Sequence, residues 1–324
     1  MLMLLRNIIL VMFASFWLYG CGQTQESSHR ENNTSNAAAV SNEIDSKLSF
    51  KDSITASDSL KMRFHCLNCP VKINKLLAEG KKSGLKDANE LVCFYAHKLE
   101  GTPYVAHTLE GNEEKLTINI DQLDCTTFVE TLYALATATL NGETSWRDYA
   151  SHLENLRYRN GKMGDYSSRL HYICDWMIDN TSRGNIEDVA PNIGCASYKV
   201  KTINFMSTHR DSYPSLKNDS IFEKIKNSEL GYRNHRFPYI KKGDLNSKKV
   251  KDVVKRGDFV GLVTKTEGLD ISHLGIIELD ANGNPVLLDA SSIGKKVMLE
   301  KVDLKTQLLK NKNNEGVRIF RIKR

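Results

Sequence analysis

The chain has 324 residues, 40% hydrophobic and 26% charged, the balance of an ordinary globular protein. Its net charge is +6, with Lys and Arg scattered along the sequence rather than clustered. That distribution argues against a nucleic-acid partner and licenses at most a mild preference for an acidic polymer.

In chain order, residues 1–20 read as a targeting segment. Arg6 supplies a positive charge, and the run from Asn7 to Tyr19 is apolar but short for a membrane span. The run ends Leu18-Tyr19-Gly20-Cys21, which resembles the lipobox of bacterial lipoproteins. The resemblance implies cleavage before Cys21, acylation of its thiol and a lipid-anchored protein on the periplasmic face of the envelope, at the outer membrane. A plain signal peptide is the alternative, and either one carries the chain out of the cytoplasm. Residues 21–57 are rich in Ser, Asn, Thr, Glu and Gln, with no aromatic before Phe50. They bury too little to offset ordering entropy and read as a flexible tether. Residues 58–324 remain as a single domain, within the usual size range.

Val71–Glu79 and Asp87–Leu99 show apolar residues at helical spacing, and Gly101-Thr102-Pro103-Tyr104 stops the second helix. A longer helix starts near Cys125, with Phe128, Leu132, Leu135, Ala136 and Thr139 on one face, and ends at Asn141-Gly142. Residues 141–250 read as an irregular helical insertion, clearest over Trp146–Leu156 and Ser168–Ile178. From about residue 256 the pattern turns to strands: Asp258–Thr264, Ser272–Leu279, then an Asn-Gly turn, Pro285–Ala290 and Val317–Ile322, with a short helix over Val302–Leu309. Helices first and an antiparallel meander last is an α+β order.

Six cysteines follow Cys21. Outside the cytoplasm paired cysteines oxidise, so Cys66-x-x-Cys69, with Cys93 and His97 beyond it, suggests a disulfide; unpaired thiols and a zinc site stay open as alternatives. No metal or other cofactor is required by the chemistry below.

Three segments carry that chemistry. Asp124 is a plausible N-cap that places Cys125 in a first helical turn, where free backbone N–H groups and the helix dipole favour a thiolate and can donate to an oxyanion. In Ile271-Ser272-His273-Leu274-Gly275, strand alternation puts His273 on the face of Gly275, whose lack of a side chain leaves room for a helix or a substrate beside the imidazole. Asp289 follows one strand later, and pairing of the two strands lets it accept from the second ring nitrogen of His273. A cysteine on a helix, then a histidine and an acid on a later sheet, is the papain-like order.

Gly-Thr-Pro-Tyr-Val at 101–105, Asp-Cys-Thr-Thr-Phe-Val at 124–129 and Ser-His-Leu-Gly-Ile at 272–276 resemble the NlpC-type cell-wall cysteine peptidases. The fuller resemblance is to the branch described as N-acetylmuramoyl-L-alanine amidase-like. It rests on residues 123–130, Arg-Leu-His-Tyr at 169–172 with Asp175-Trp176, Asn-Phe-Met-Ser at 204–207, Gly-Leu-Asp-Ile-Ser-His at 268–273 and Ala-Ser-Ser at 290–292. It implies a papain-like α+β fold with the catalytic helix packed on an antiparallel sheet. It also implies hydrolysis of the bond between the lactyl group of muramic or anhydro-muramic acid and L-alanine in wall fragments. Cys125 is then the nucleophile, His273 the base and Asp289 the orienter, where the branch usually has histidine. Tyr104, Asp124, Thr126, Arg169, His209 and Ser272 are the candidate substrate contacts, with His171 and Trp176 as further groups of the insertion. The rivals are an endopeptidase cutting inside the stem peptide, with Asp124 holding a free amine, and a non-catalytic muropeptide-binding lipoprotein.

Overall fold

The computed structural model describes residues 54–323; residues 1–20, Cys21 and the expected tether up to residue 53 lie outside the described residues. The last part of that tether is ordered. Thr55 caps helix α1 (Ala56–Lys61), its hydroxyl accepting from the Asp58 N–H while the Asp58 carboxylate accepts from the Thr55 N–H. Strand β1 (Met62–Phe64) then pairs in parallel with β2 (Leu116–Ile118).

Helix α2 (Cys69–Ser83) begins with Pro70 in its first turn, where a missing N–H costs nothing. Asp87 caps α3 (Ala88–Lys98). Helix α4 (Cys125–Leu140) differs from the expected one-faced pattern: nearly every side chain from Thr127 to Thr139 is buried. It is enclosed by α2, α3 and α5 (Trp146–Arg157) on one side and by the sheet on the other. A helix buried on nearly every side is a rigid mount.

Residues 141–250 are not a purely helical insertion. They contain α6 (Ile173–Ser182), α7 (Phe205–Thr208), α8 (Asp219–Leu230) and α9 (Lys248–Lys251), and they also supply β3 (Ile186–Asp188), β4 (Ser197–Lys201) and β5 (His235–Lys241) to the main sheet. The later elements are β6 (Phe259–Thr264), β7 (Ile271–Leu279), β8 (Pro285–Ser291), β9 (Lys296–Asp303), helix α10 (Leu304–Lys310) and β10 (Asn314–Ile322). Among the described residues they form an eight-stranded sheet in the order β4-β5-β10-β6-β7-β8-β9, with β3 on β10. Every pairing in it is antiparallel.

Strand periodicity divides the sheet between two cores. Ile276, Leu288 and Phe320 join the helical core of α2 to α6, while their neighbours Ile277, Leu287 and Ile319 join a second core closed by α9 and α10. Residues Ile54–Arg324 form one compact unit. Cys66 and Cys69 form a disulfide. Cys93 is bonded to neither: it is a buried free thiol, pushed up to about 12 by burial and by the Glu278 carboxylate.

Candidate active site

Cys125 is the first residue of α4. The chain enters the helix through a reciprocal cap, with the Thr127 N–H donating to Asp124 Oδ1 at 2.8 Å and the Asp124 N–H donating to Thr127 Oγ1 at 2.9 Å. Deeper in the helix, Glu130 accepts from Arg157 Nε at 2.7 Å, both side chains no more than 3% exposed. Arg157 also donates to the Thr117 carbonyl, which ties α4 and α5 to β2.

His273 stands on β7 with its side chain 20% exposed, and its Nε2 is hydrogen-bonded to Asp289 Oδ2. The bond is diagonal. Extending the register Ile276↔Leu288 places Gly275, not His273, directly opposite Asp289. With Nε2 engaged, Nδ1 is the nitrogen left for the Cys125 thiol, whose charge acts on the ring. Burial alone would lower the His273 pKa; the Cys125 thiolate and the Asp289 carboxylate outweigh it and push the imidazole up to about 10. The space beside Gly275 holds neither a helix nor an open pocket. A Cβ there would lie 2.7 Å from Leu287 Cδ1 and 3.0 Å from Asp289 Cβ, so the glycine makes room for β8.

Tyr104 is anchored by its N–H, which donates to the Lys295 carbonyl at 2.9 Å, and by a bridge to Leu123. Burial, then the negative charges of Cys125, Asp124 and Asp289, hold its phenol protonated well above the ordinary range. Thr126 is partly buried in the first turn of α4, one residue past the thiol. Ser272 donates weakly to the Leu262 carbonyl at 3.4 Å, at a shift in the β6–β7 register next to His273.

Two further candidates, Arg169 and His209, are engaged by the protein's own groups. Arg169 is 6% exposed and donates to Glu110 Oε1 and Glu114 Oε2, both at 3.0 Å, so its guanidinium is held by the protein's own carboxylates. His209 is exposed on α7's C-terminal edge, stacked on Phe205 with ring centres 4.0 Å apart, and bonded through Nδ1 to the Phe205 carbonyl. The neighbouring His171 is equally structural: burial and Arg169 push it down to about 3, and it bonds the Tyr166 carbonyl. Trp176 packs against Phe320 in the helical core.

The remaining shared motifs shape the approach to β7. Gly268 has φ +75°, and a Cβ on it would fall within about 3 Å of Asn204 and Phe205, whose N–H groups donate to its carbonyl. Asp270 is fully buried and accepts from the Cys174 N–H at the start of α6. Both fix the segment that leads into His273.

Sequence reasoning missed Glu300 on β9. Burial raises its pKa, the nearby Asp289 carboxylate raises it further, and His273 and the Ser291 hydroxyl pull the other way, which places it beside the His273–Asp289 pair.

The comparisons with known proteins agree with this architecture. The family model described as AmiA-like, N-acetylmuramoyl-L-alanine amidase-like, matches residues 95–317. The chain belongs to that family. A crystal structure of an N-acetylmuramoyl-L-alanine amidase from Bacteroides uniformis is 34% identical, with TM-score 0.68, covering 73% of this chain and 99% of that one. A protein from Bacteroides fragilis described as a putative xylanase is 36% identical, with TM-score 0.65 over 70% of this chain and 99% of its own. Protein LPG0564 from Legionella pneumophila, 21% identical with TM-score 0.61 over 79% of this chain and 95% of its own, shares the fold. No curated protein matches the chain. The family match begins after α2, so α1, β1 and the disulfide precede it.

Proposed function

We propose that this amidase-like chain is a cysteine hydrolase of the NlpC type that cleaves the amide between the lactyl group of N-acetylmuramic or anhydro-muramic acid and L-alanine in peptidoglycan fragments. The observation that carries the reading is the His273 ring, bound through Nε2 to Asp289 and electrostatically coupled to the thiol at the first residue of α4. The substrate follows from the family and from the Bacteroides uniformis amidase.

In this mechanism His273 Nδ1 takes the Cys125 proton, and the thiolate attacks the lactyl carbonyl. Backbone N–H groups of the first turn of α4, with the Tyr104 hydroxyl, donate to the oxyanion. The imidazolium then protonates the leaving alanine nitrogen, and neutral His273 activates the water that releases the acyl group from sulfur. Asp289 fixes the tautomer throughout. Thr126 and Ser272 remain candidate contacts at the edge of the site. Asp124 commits its Oδ1 to the helix cap, so in the rival endopeptidase it is Oδ2 that would meet the free amine of the substrate.

Export and lipid anchoring through Cys21 complete the proposal and rest on the sequence alone. Mass spectrometry of anhydro-muramyl-tetrapeptide incubated with the protein tests the reaction. Free tetrapeptide and amino sugar, both absent with Cys125→Ala, are expected. A dipeptide product would establish an endopeptidase instead, and binding without turnover a non-catalytic protein.

A further inference from the structure

The disulfide between Cys66 and Cys69 lies outside the family match and plays no part in the proposed hydrolysis. Its surroundings are those of a reactive pair. Cys66 is partly exposed in a turn with exposed Leu67 and Asn68, whereas Cys69 is fully buried as the first residue of the 15-residue α2. A carboxylate oxygen of Asp121 lies within 4.8 Å of both sulfurs. Lys72, one turn along α2 from Cys69, holds both oxygens of that carboxylate at 2.6 and 2.7 Å.

The bond is also a weak staple. A loop of three-residue separation restricts the unfolded chain far less than a long one. The segment around it is held by other means. β1 pairs with β2, and Arg63 donates to the carbonyls of Glu110 and Glu113. Ile73 and Leu77 anchor α2 in the core.

We propose that Cys66–Cys69 is a redox-active disulfide that exchanges electrons with a protein dithiol. The partner's thiolate attacks the accessible Cys66 sulfur, and the Cys66–Cys69 bond breaks. Cys69 leaves as a thiolate at the start of α2, where backbone N–H groups favour negative charge. The partner's second thiolate then displaces Cys66 and closes the partner's own disulfide. Two electrons pass to Cys66 and Cys69, and the two protons of the partner's thiols end on them, with Asp121 and Lys72 placed to relay the one bound for buried Cys69. Exposed Leu67 offers the partner an apolar contact beside the attacked sulfur.

The test uses the full chain in a ladder of reduced and oxidised glutathione, alkylated and read by peptide-resolved mass spectrometry. This counts thiols and is independent of wall cleavage. The native disulfide is expected to pass from mostly oxidised to mostly reduced within the ladder. Cys66 in Cys69→Ser should capture glutathione at least about 10-fold faster than Cys69 does in Cys66→Ser, given its exposure. A native disulfide that stays closed across the whole ladder, yet opens once the chain is unfolded in urea, would show a purely structural bond. Equal capture at the two cysteines would overturn the assignment of Cys66 as the attacked sulfur. If either serine variant fails to fold, the ladder on the unmodified chain decides.

Discussion

Gly275 stands opposite Asp289 across β7 and β8, and its missing side chain is what lets the carboxylate sit close enough to reach His273 on the diagonal. Direct cross-strand neighbours are the closer pair on a sheet face, and diagonal ones meet only when nothing stands between them. The glycine therefore belongs to the site although it carries no chemistry. Gly275→Ala would set a Cβ 2.8 Å from the Leu288 carbonyl, a backbone atom that cannot swing aside. The expected result is a loss of roughly 1–3 kcal/mol in urea unfolding, with a fall in kcat of at least about 10-fold as Asp289 is displaced. A variant as active and as stable as the parent would show that the carboxylate has other room.

Tyr104→Phe removes one hydroxyl and leaves the backbone tie to Lys295 in place. The phenol is held protonated by burial and by the acidic groups around it, so it is a donor at every working pH. Loss of an oxyanion donor predicts a drop in kcat on the order of 100-fold with little change in KM. A rise in KM at constant kcat would make Tyr104 a wall of the pocket only.

Arg169, a candidate substrate contact, is engaged in two ion pairs, and a scaffold role follows if those pairs are its function. Arg169→Gln leaves the Glu114 carboxylate with the Tyr158 hydroxyl but without its cation, and should cost about 3 kcal/mol of stability. KM measured at a temperature where the variant remains folded should be unchanged. A rise in KM without loss of stability would return Arg169 to the substrate.

The parts of the site legible in the sequence are those written by local rules. Asp124 before an apolar run marks the start of α4 and puts Cys125 in its first turn, and alternation across the Asn-Gly turn brings Asp289 to His273's strand. What escaped has a common physical cause. β4 (Ser197–Lys201) leaves Tyr198 and Val200 exposed at the sheet edge, so it lacks the buried face that alternation reveals. β5 carries Pro238, which argues against a strand, and is tolerated because pairing with β10 covers only Ile240 and Lys241. β9 (Lys296–Asp303), at the other edge, buries only Val297, and with it went Glu300. β4 and β9, at the two edges, are specified by their neighbours more than by their own residues, and β5 by the two strands that flank it.

The pH profile tests the Asp289–His273 pair most directly. The folded His273 pKa, about 10, lies above the ordinary value of 6.5 because burial is outweighed by the thiolate and the carboxylate. Imidazolium is needed to protonate the leaving nitrogen, so activity should persist on the alkaline side and fall only as pH rises through the folded value. The same shift contributes stability that is fully present below about 6.5 and lost as pH climbs towards 10. Asp289→Asn keeps the shape and removes the charge. Its alkaline limb should move to lower pH by on the order of one unit, with kcat down roughly 10²–10⁴-fold as the tautomer is no longer enforced. Asp289→His, which restores an acceptor without a full charge, should recover much of kcat while keeping the lowered limb. An alkaline limb that stays in place in both variants would mean that the thiolate alone sets the basicity of His273, and that Asp289 only holds the ring.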